Sequence, residues 1–202
     1  MIKNIIFDLG NVLIYYKPDK ILTHAGITDP EDRELLKREI FKSKEWPQAD
    51  AGEITVDELC SIVVERVPER LKETARHCVT AWFQPMDPVP GMEEFIREKK
   101  AEGIKMVVLT NAPGNVHDYF KFVPGHELID GLVVSADIKM SKPGAEIFNY
   151  ALNKYGLKAE ETIFVDDLQE NVDGAKAVGM DGFRFDPDTG ARDLREYLRD
   201  KA

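Results

Sequence analysis

The chain has 202 residues, 43% of them hydrophobic, which is enough for one ordinary core with a modest appendage. Its formal net charge of -10 disfavours nucleic acid and membrane surfaces as partners, because both require clustered Lys and Arg. The sequence shows neither an apolar span of membrane length nor a leader, so we expect a soluble, cytoplasmic protein. It does not indicate an oligomeric state. Cys60 and Cys78 lack metal-ligand spacing and are expected to be buried free thiols.

The first predicted strand is Asn4 to Phe7, after which the pattern changes to helices alone from about residue 17 to residue 84. Three prolines and a glycine follow in the segment 84–91, and this segment is read as a linker because a helix cannot propagate through it. The helices predicted before the linker are Asp29 to Lys42, Thr55 to Arg66 and Pro68 to Trp82. The sequence therefore predicts an α/β core of residues 1–16 and 85–202, with a small helical cap of residues 17–84 inserted after the first strand.

The second half of the chain alternates short apolar runs with stretches of helical spacing. The predicted strands there are Met106 to Leu109, Gly131 to Ser135, Thr162 to Val165 and, more weakly, Gly182 to Phe185. The predicted helices are Gly91 to Ala101, Gly114 to Phe122, Gly144 to Tyr155 and Asn171 to Val178. This alternation is typical of a doubly wound, Rossmann-like parallel sheet.

Polar residues follow the predicted strands at four points of the chain. They are Asp8, the pair Thr110-Asn111, Lys142 within Ser141-Lys142-Pro143, and the pair Asp166-Asp167. Because the carboxyl ends of parallel strands form one edge of a sheet, we expect these side chains to meet in a ligand crevice. Taken singly, each of them also fits a helix cap, a turn or a surface position.

These residue types together indicate phosphoryl transfer. An ionised Asp8 is repelled by a phosphate dianion, so attack requires positive charge that is in place before the reaction begins. Lys142 supplies one such charge, and a magnesium ion, which prefers oxygen ligands, suits the carboxylates. A carboxylate nucleophile would then divide hydrolysis into two steps. The sequence is accordingly read as that of a phosphotransferase.

The order and context of these motifs, from Asn4 to about Phe185, resemble the haloacid dehalogenase superfamily. Within it, the chain resembles a small phosphatase branch that shares the first motif Phe-Asp-Leu-Gly-Asn-Val and includes a glucose-1-phosphate phosphatase. The resemblance implies a Mg²⁺-dependent phosphatase acting on a small phosphorylated metabolite, with a sugar phosphate as one candidate. By the same resemblance, Asp8 is the nucleophile, Thr110 and Asn111 bind the phosphate, and Lys142 neutralises it and orients Asp8. Asp8, the Gly10 carbonyl, Asp166 and Asp167 would hold the metal.

One position departs from the family pattern. The usual first motif has a second aspartate two residues after the nucleophile, acting as general acid and base, and this chain has Gly10 there. Its loss would cost about 100- to 10,000-fold in rate. Asp19 is the nearest downstream carboxylate, although a solvated surface residue is the preferred interpretation. Two alternatives therefore stay open: a metal-independent 2-haloacid dehalogenase, and a degenerate phosphate-binding or interaction protein.

The predicted cap contains one segment with a possible role in the site. The turn Asp50 to Ile54 resembles a family segment that reaches over the active site, so Glu53 is considered as a substrate contact. Trp46, Trp82 and Tyr119 are interpreted as packing residues.

Overall fold

The computed structural model describes residues 1–199 and 201, and this part of the chain is built around a sheet of five parallel strands. The strands are β1 (Asn4–Phe7), β2 (Lys105–Thr110), β3 (Gly131–Val134), β4 (Thr162–Asp166) and β5 (Asp181–Arg184). Their order in the sheet is β3-β2-β1-β4-β5, so β1 lies in the middle and pairs with β2 and β4. This confirms the predicted α/β fold class.

Helices surround the sheet and form the segment between β1 and β2. The α-helices are α1 (Pro18–His24), α2 (Pro30–Leu36), α3 (Glu45–Asp50), α4 (Val56–Arg66), α5 (Lys72–Thr80), α6 (Met92–Ala101), α7 (Val116–Tyr119), α8 (Ser135–Ile138), α9 (Ala145–Tyr155), α10 (Gln169–Ala177) and α11 (Ala191–Arg199). Short 3₁₀ turns cover Glu69–Leu71, Phe120–Phe122, His126–Leu128 and Ala159–Glu161. Among the described residues, no helix is both long and apolar enough to cross a membrane.

Helices cover both faces of the sheet. Successive residues of a strand point to opposite faces, so neighbours in one strand belong to different clusters. In β1, Phe7 packs in a cluster that includes Phe95 of α6 and Leu194 of α11. Its neighbour Ile6 belongs to a second cluster with Phe148 of α9, on the other face. Strands buried on both faces read as continuous apolar runs, which is why these strands could be found from the sequence.

The helices α1 to α5, from Pro18 to Thr80, form what we call the helical insertion, and it has a hydrophobic cluster of its own. Leu36, Ile40 and Val63 are fully buried in this cluster. The predicted burial of the free thiols is confirmed, since both cysteines lie buried within it. Apolar side chains from separate helices thus pack together, which gives the helical insertion its own internal support.

Several predicted boundaries were wrong. The single helix expected over Gly114 to Phe122 is α7 followed by a 3₁₀ turn, and Pro124 lies just beyond, where it disfavours further helix. The helix expected over Asp29 to Lys42 is α2 followed by a π-helix, Lys37–Phe41. The third strand ends at Val134 because the next residue begins α8, and α1, α3 and α11 were not identified as separate helices.

Candidate active site

The predicted site residues converge at the carboxyl edge of the sheet. A cleft of about 380 Å³ lies there, with walls from both the sheet edge and the helical insertion. Six of the seven predicted residues line it, namely Asp8, Gly10, Thr110, Asn111, Lys142 and Asp167. The seventh, Asp166, is fully buried and bonded to Lys142. The structure therefore brings the whole predicted set together, as expected for the strand ends of a parallel sheet.

Asp8 is positioned by the central strand. Its backbone N–H donates to the Val165 carbonyl at 2.8 Å, so the β1–β4 ladder continues one residue beyond the strand. Thr110 is the last residue of β2 and is almost fully buried. Two strands packed on both faces hold these residues, which limits their movement.

Lys142 connects the carboxylates of the site. Its Nζ lies 2.8 Å from Asp8 Oδ1 and 2.7 Å from Asp166 Oδ2, and its side chain is 1% exposed. The Asn111 side chain fixes the backbone of the same residue: its Oδ1 accepts from the Lys142 N–H at 2.9 Å, and its Nδ2 donates to the Lys142 carbonyl at 3.0 Å. The side-chain amide of Asn111 is thus used to position Lys142, which leaves its backbone N–H for an anion.

Asp166 has several hydrogen-bond partners besides Lys142. Its Oδ1 accepts from the Leu168 N–H at 2.8 Å, and Asn171 Nδ2 lies 3.2 Å from Oδ1 and 3.1 Å from Oδ2. These contacts satisfy a carboxylate that has no exposed surface. Both oxygens are engaged, so Asp166 is well placed to hold the lysine.

Asp167 is held from the β1 side of the cleft. Asn11 Nδ2 donates to Asp167 Oδ2 at 3.1 Å, while Asn11 Oδ1 accepts from the Tyr16 N–H at 3.1 Å. The φ of Asn11 is 55°, a left-handed conformation that asparagine tolerates better than most residues. The turn after β1 therefore orients a carboxylate that immediately follows β4.

The donor set fits a divalent cation. Asp8, Asp166 and Asp167 each offer a ligand oxygen, and these atoms lie within 4.8 Å of one another. With all groups ionised, the three carboxylates outweigh the charge of Lys142, and one divalent cation would balance the excess. Oxygen-only ligands suit magnesium. Asp8 and Asp167 are the more available ligands, because both line the cleft, whereas Asp166 is fully buried with both oxygens hydrogen-bonded.

The pKa values of these carboxyl groups reflect their burial first and the neighbouring charges second. Burial raises the pKa of Asp8 to about 7, the Lys142 charge opposes the rise, and the Asp166 charge adds to it. Burial is also the main reason why the pKa of Asp167 lies above its usual range, although the Asn11 hydrogen bond lowers it. The carboxylates outweigh the effect of burial on the pKa of Lys142, which is raised. The lysine is therefore fully charged at neutral pH.

Gly10 does not require a glycine-only backbone conformation. Its φ is not positive, and a Cβ built there would meet Tyr16 Cβ at 3.6 Å, an ordinary contact. The position that carries an acid in the usual motif therefore has room for a side chain in this chain.

Sequence reasoning missed part of the cleft wall. Asp50, Tyr16, Trp46, Trp82 and Tyr119 all line the cleft, and the aromatic rings also pack on one another. The sequence indicates a role for the Asp50 to Ile54 turn, but the side chain in the cleft belongs to the first residue of that turn. Periodicity could not reveal this, because contacts between the turn and α8, far away in the sequence, set which residue faces the cleft.

The two other carboxylates considered from sequence lie outside the cleft. Glu53 is exposed and lines a different surface depression. Asp19 is bound to Arg33 at 3.2 Å and to Lys37 at 2.7 Å, and the hydrogen bonds from those side chains lower its pKa. Its placement agrees with the preferred interpretation of a surface residue.

A parallel α/β sheet with a cluster of carboxylates and a lysine at its carboxyl edge is the fold and site of a hydrolase. The family model for haloacid dehalogenase-like hydrolases matches residues 5–184, and the chain belongs to this family. The narrower resemblance to glucose-1-phosphate phosphatase stays a prediction.

Named phosphatases are among the relatives. The sesquiterpene phosphatase astK of Aspergillus oryzae is 31% identical over 188 residues, covering 91% of this chain and 89% of the relative. A glyceraldehyde 3-phosphate phosphatase of Methanocaldococcus jannaschii is 27% identical over 207 residues, covering 89% of this chain and 83% of the relative. A solved HAD family enzyme from Bacteroides thetaiotaomicron, a mutant in complex with magnesium and inorganic phosphate, superposes with a TM-score of 0.73. It is 19% identical and covers 96% of this chain and 99% of that one, and this likeness shows the fold.

Proposed function

We propose that this protein is a magnesium-dependent phosphatase that hydrolyses a small phosphorylated metabolite through an aspartyl-phosphate on Asp8. The observation that carries the proposal is the 2.8 Å contact between Lys142 Nζ and Asp8 Oδ1, inside a cleft that Thr110 and Asp167 also line. The relatives named as phosphatases support the same chemistry.

The residues of the cleft divide the work of the reaction. The Asp8 carboxylate attacks phosphorus, the bond to the alcohol oxygen breaks, and water later cleaves the aspartyl-phosphate. The Lys142 ammonium balances the negative charge, while the Thr110 hydroxyl and the Asn111 N–H donate to the phosphate oxygens. Asp8, Asp167 and the Gly10 carbonyl would hold magnesium, with Asp166 beside them. Bound there, the ion would reduce the repulsion between the carboxylate nucleophile and the phosphate.

The remaining wall of the cleft indicates the class of alcohol. Among the described residues that line it, Lys142 is the single cationic side chain, and it already contacts two carboxylates. The rest of the cleft wall is formed mainly by aromatic rings and by Asp50. A second phosphate or a carboxylate on the substrate would find no cationic partner there, so we propose a monoester of a neutral alcohol. Sugar phosphates and phosphates of more apolar alcohols both meet this requirement, with the helical insertion serving as the cap over the alcohol.

The test is phosphate release from a panel of neutral-alcohol monoesters and p-nitrophenyl phosphate, with and without magnesium. Wild type is compared with Asp8→Asn and with Asp118→Asn, a control that removes an exposed carboxylate of α7. We expect magnesium-dependent release that is abolished in Asp8→Asn and retained in Asp118→Asn. Phosphoglycolate and a bisphosphate, each with a second anionic group, are expected to be poor substrates.

Two other outcomes would favour the alternative functions. Halide release from a 2-haloacid without magnesium would identify a dehalogenase. Phosphate binding, together with no turnover of any substrate in the panel with or without magnesium, would identify the degenerate binding protein. Asp8→Asn releasing phosphate at the wild-type rate would contradict the assignment of the nucleophile.

A further inference from the structure

Hydrolysis of a phosphomonoester at neutral pH needs a group that gives and takes a proton. A poor leaving alcohol must be protonated as its bond to phosphorus breaks, and the attacking water must lose a proton in the second step. Gly10 has no side chain for either task. The need for such a group in this chain rests on the proposed phosphatase function.

We propose that Asp50, carried by the helical insertion, is the general acid and base of the reaction. It is the last residue of α3 and lines the same cleft as Asp8. Within the described part of the chain, no side chain forms an ion pair with it, and Ser135, its hydrogen-bond partner, contacts its backbone carbonyl instead. Its carboxyl group is therefore available to a substrate in the cleft.

The backbone of Asp50 is fixed to the sheet. Ser135, fully buried at the start of α8, donates its hydroxyl to the Asp50 carbonyl and accepts from the Ala112 N–H at 2.9 Å. Gly52 has a φ of 70° and lies against the Ala136 carbonyl, so closely that a Cβ there would clash. These contacts join the insertion to the ends of β2 and β3. An acid on this turn is consequently held in place relative to Asp8.

The surroundings of Asp50 suit a group that cycles between protonation states. The ionisable residues around it in the cleft are Asp8, Lys142, Asp167, Tyr16 and Tyr119. Burial, and secondly the charge of Asp8, raises the pKa of Asp50 to about 7. A general acid and base works best with a pKa near the working pH.

The neighbouring tyrosines are poorer candidates. Burial and the charge of Asp50 raise the pKa of Tyr16 well above its usual range, and burial does the same for Tyr119. Both hydroxyls stay protonated at neutral pH. They can donate hydrogen bonds, but they cannot take a proton from water as readily as a carboxylate of pKa about 7.

Asp50 returns to its starting state after the two steps of the reaction. In the first step, an oxygen of Asp8 forms a bond to phosphorus, the bond from phosphorus to the alcohol oxygen breaks, and that oxygen takes the proton of the neutral Asp50 carboxyl. In the second step, Asp50, now a carboxylate, takes a proton from water while the water oxygen attacks phosphorus. The bond to Asp8 breaks, inorganic phosphate leaves, and Asp50 is neutral again.

The experiment compares wild type with Asp50→Asn, using phenyl phosphate and p-nitrophenyl phosphate. The two probes share the aryl shape, but only phenyl phosphate has a leaving group that needs protonation. We expect Asp50→Asn to lose about 100- to 10,000-fold in kcat with phenyl phosphate. With p-nitrophenyl phosphate, the rate of phosphoenzyme formation should fall clearly less. Because the variant lacks the base of the second step, acid quenching should trap a phosphorylated Asp8 that wild type does not accumulate.

Two further variants separate a catalytic role from a structural one. Glu53→Gln changes an exposed carboxylate of the same turn and should leave both rates unchanged. Gly10→Asp in the Asp50→Asn background should restore much of the rate with phenyl phosphate, since position 10 accommodates a Cβ. Recovery would not be expected if Asp50→Asn had merely misfolded the protein.

The results distinguish the two proposals. An active wild type, with Asp50→Asn equal to it on both probes and no trapped phosphoenzyme, overturns the role of Asp50 and leaves the phosphatase assignment intact. An equal loss on both probes without trapping or rescue also overturns it. A wild type that releases no phosphate from any probe overturns the proposed function, and the role of Asp50 falls with it.

Discussion

The ammonium of Lys142 lies 2.7 Å from the Asp166 carboxylate, and these side chains are 1% and 0% exposed. A buried ion pair of this kind is costly to assemble and costly to break, because each charge depends on the other for solvation. The same ammonium contacts Asp8 at 2.8 Å. One side chain therefore connects the stability of the sheet edge with the proposed chemistry of the nucleophile.

Replacing Lys142 with Met should reduce both stability and activity. The variant leaves Asp166 buried without its cation, and we expect a loss of about 3–5 kcal/mol in the free energy of unfolding at neutral pH. Urea denaturation at pH 7 measures this loss, and phosphate release measures activity. Lys176→Met, an exposed lysine on α10, is the matched control. A Lys142→Met protein as stable as that control would show that Asp166 does not depend on the ion pair.

The orientation of Asp167 should control the response to magnesium. Asn11→Gly keeps the positive φ but removes the amide that donates to Asp167 Oδ2. Removing such an outer hydrogen bond typically costs about 10- to 100-fold in metal affinity or activity. We therefore expect the magnesium concentration for half-maximal activity to rise, and Asp167→Asn to have a larger effect. Asp173→Asn, an exposed residue of α10, should leave the titration unchanged. An unaltered titration in Asn11→Gly would contradict a role in positioning the ligand.

Gly174 sets the distance between α10 and the loop that carries Lys142. A Cβ built on it would lie 2.5 Å from the Pro143 carbonyl oxygen, which real Cβ atoms do not approach. Gly174→Ala should separate the helix from the loop, with a loss of about 1–3 kcal/mol in stability and a lower kcat. Thermal unfolding and phosphate release measure the two effects. Gly114→Ala is the control, because its Cβ would meet no atom closer than 4.0 Å. Equal behaviour of the two variants would mean that the loop adjusts without displacing Lys142.

The parts of this fold that could be predicted are those with a local signal. The apolar strands and the polar residues after them can be read from the sequence, because a sheet buried on two faces imposes continuous apolar runs. The boundary between α2 and the π-helix could not be read, since the backbone stays helical at Lys37 and no Gly or Pro separates the two segments.

The contributions of the helical insertion to the cleft depend on tertiary packing. Asp50 faces the cleft because Ser135 and Gly52 fix the turn against α8, and these residues are 85 and 84 positions from the partners they contact. No local pattern distinguishes Asp50 from Glu53, although the former lines the cleft and the latter is exposed. The proposed nucleophile side of the site is therefore visible in the sequence, whereas the wall proposed to contact the alcohol is not.

The raised pKa of Asp50 has a consequence for stability as well as for chemistry. Its pKa is about 7 in the folded protein against 3.8 ordinarily, so the folded state holds its proton more tightly. The contribution of Asp50 to stability is therefore full below pH 3.8 and is lost as the pH rises through about 7. The upper limit of this loss is on the order of 4 kcal/mol.

Asp50→Asn cannot ionise and should be more stable than wild type at pH 8 in the absence of magnesium, with the difference shrinking towards pH 4. Surface carboxylates in ion pairs, such as Asp19, have a lowered pKa, so their contribution to stability grows as the pH rises. This contribution is the same in wild type and variant and cancels in the difference between them. The difference in the free energy of unfolding between variant and wild type, measured by urea denaturation across this range, reports the titration of Asp50 together with its interaction with the Asp8 charge. Glu53→Gln should show no such difference. A constant difference between pH 4 and pH 8 would mean that Asp50 ionises as readily in the folded protein as in the unfolded chain.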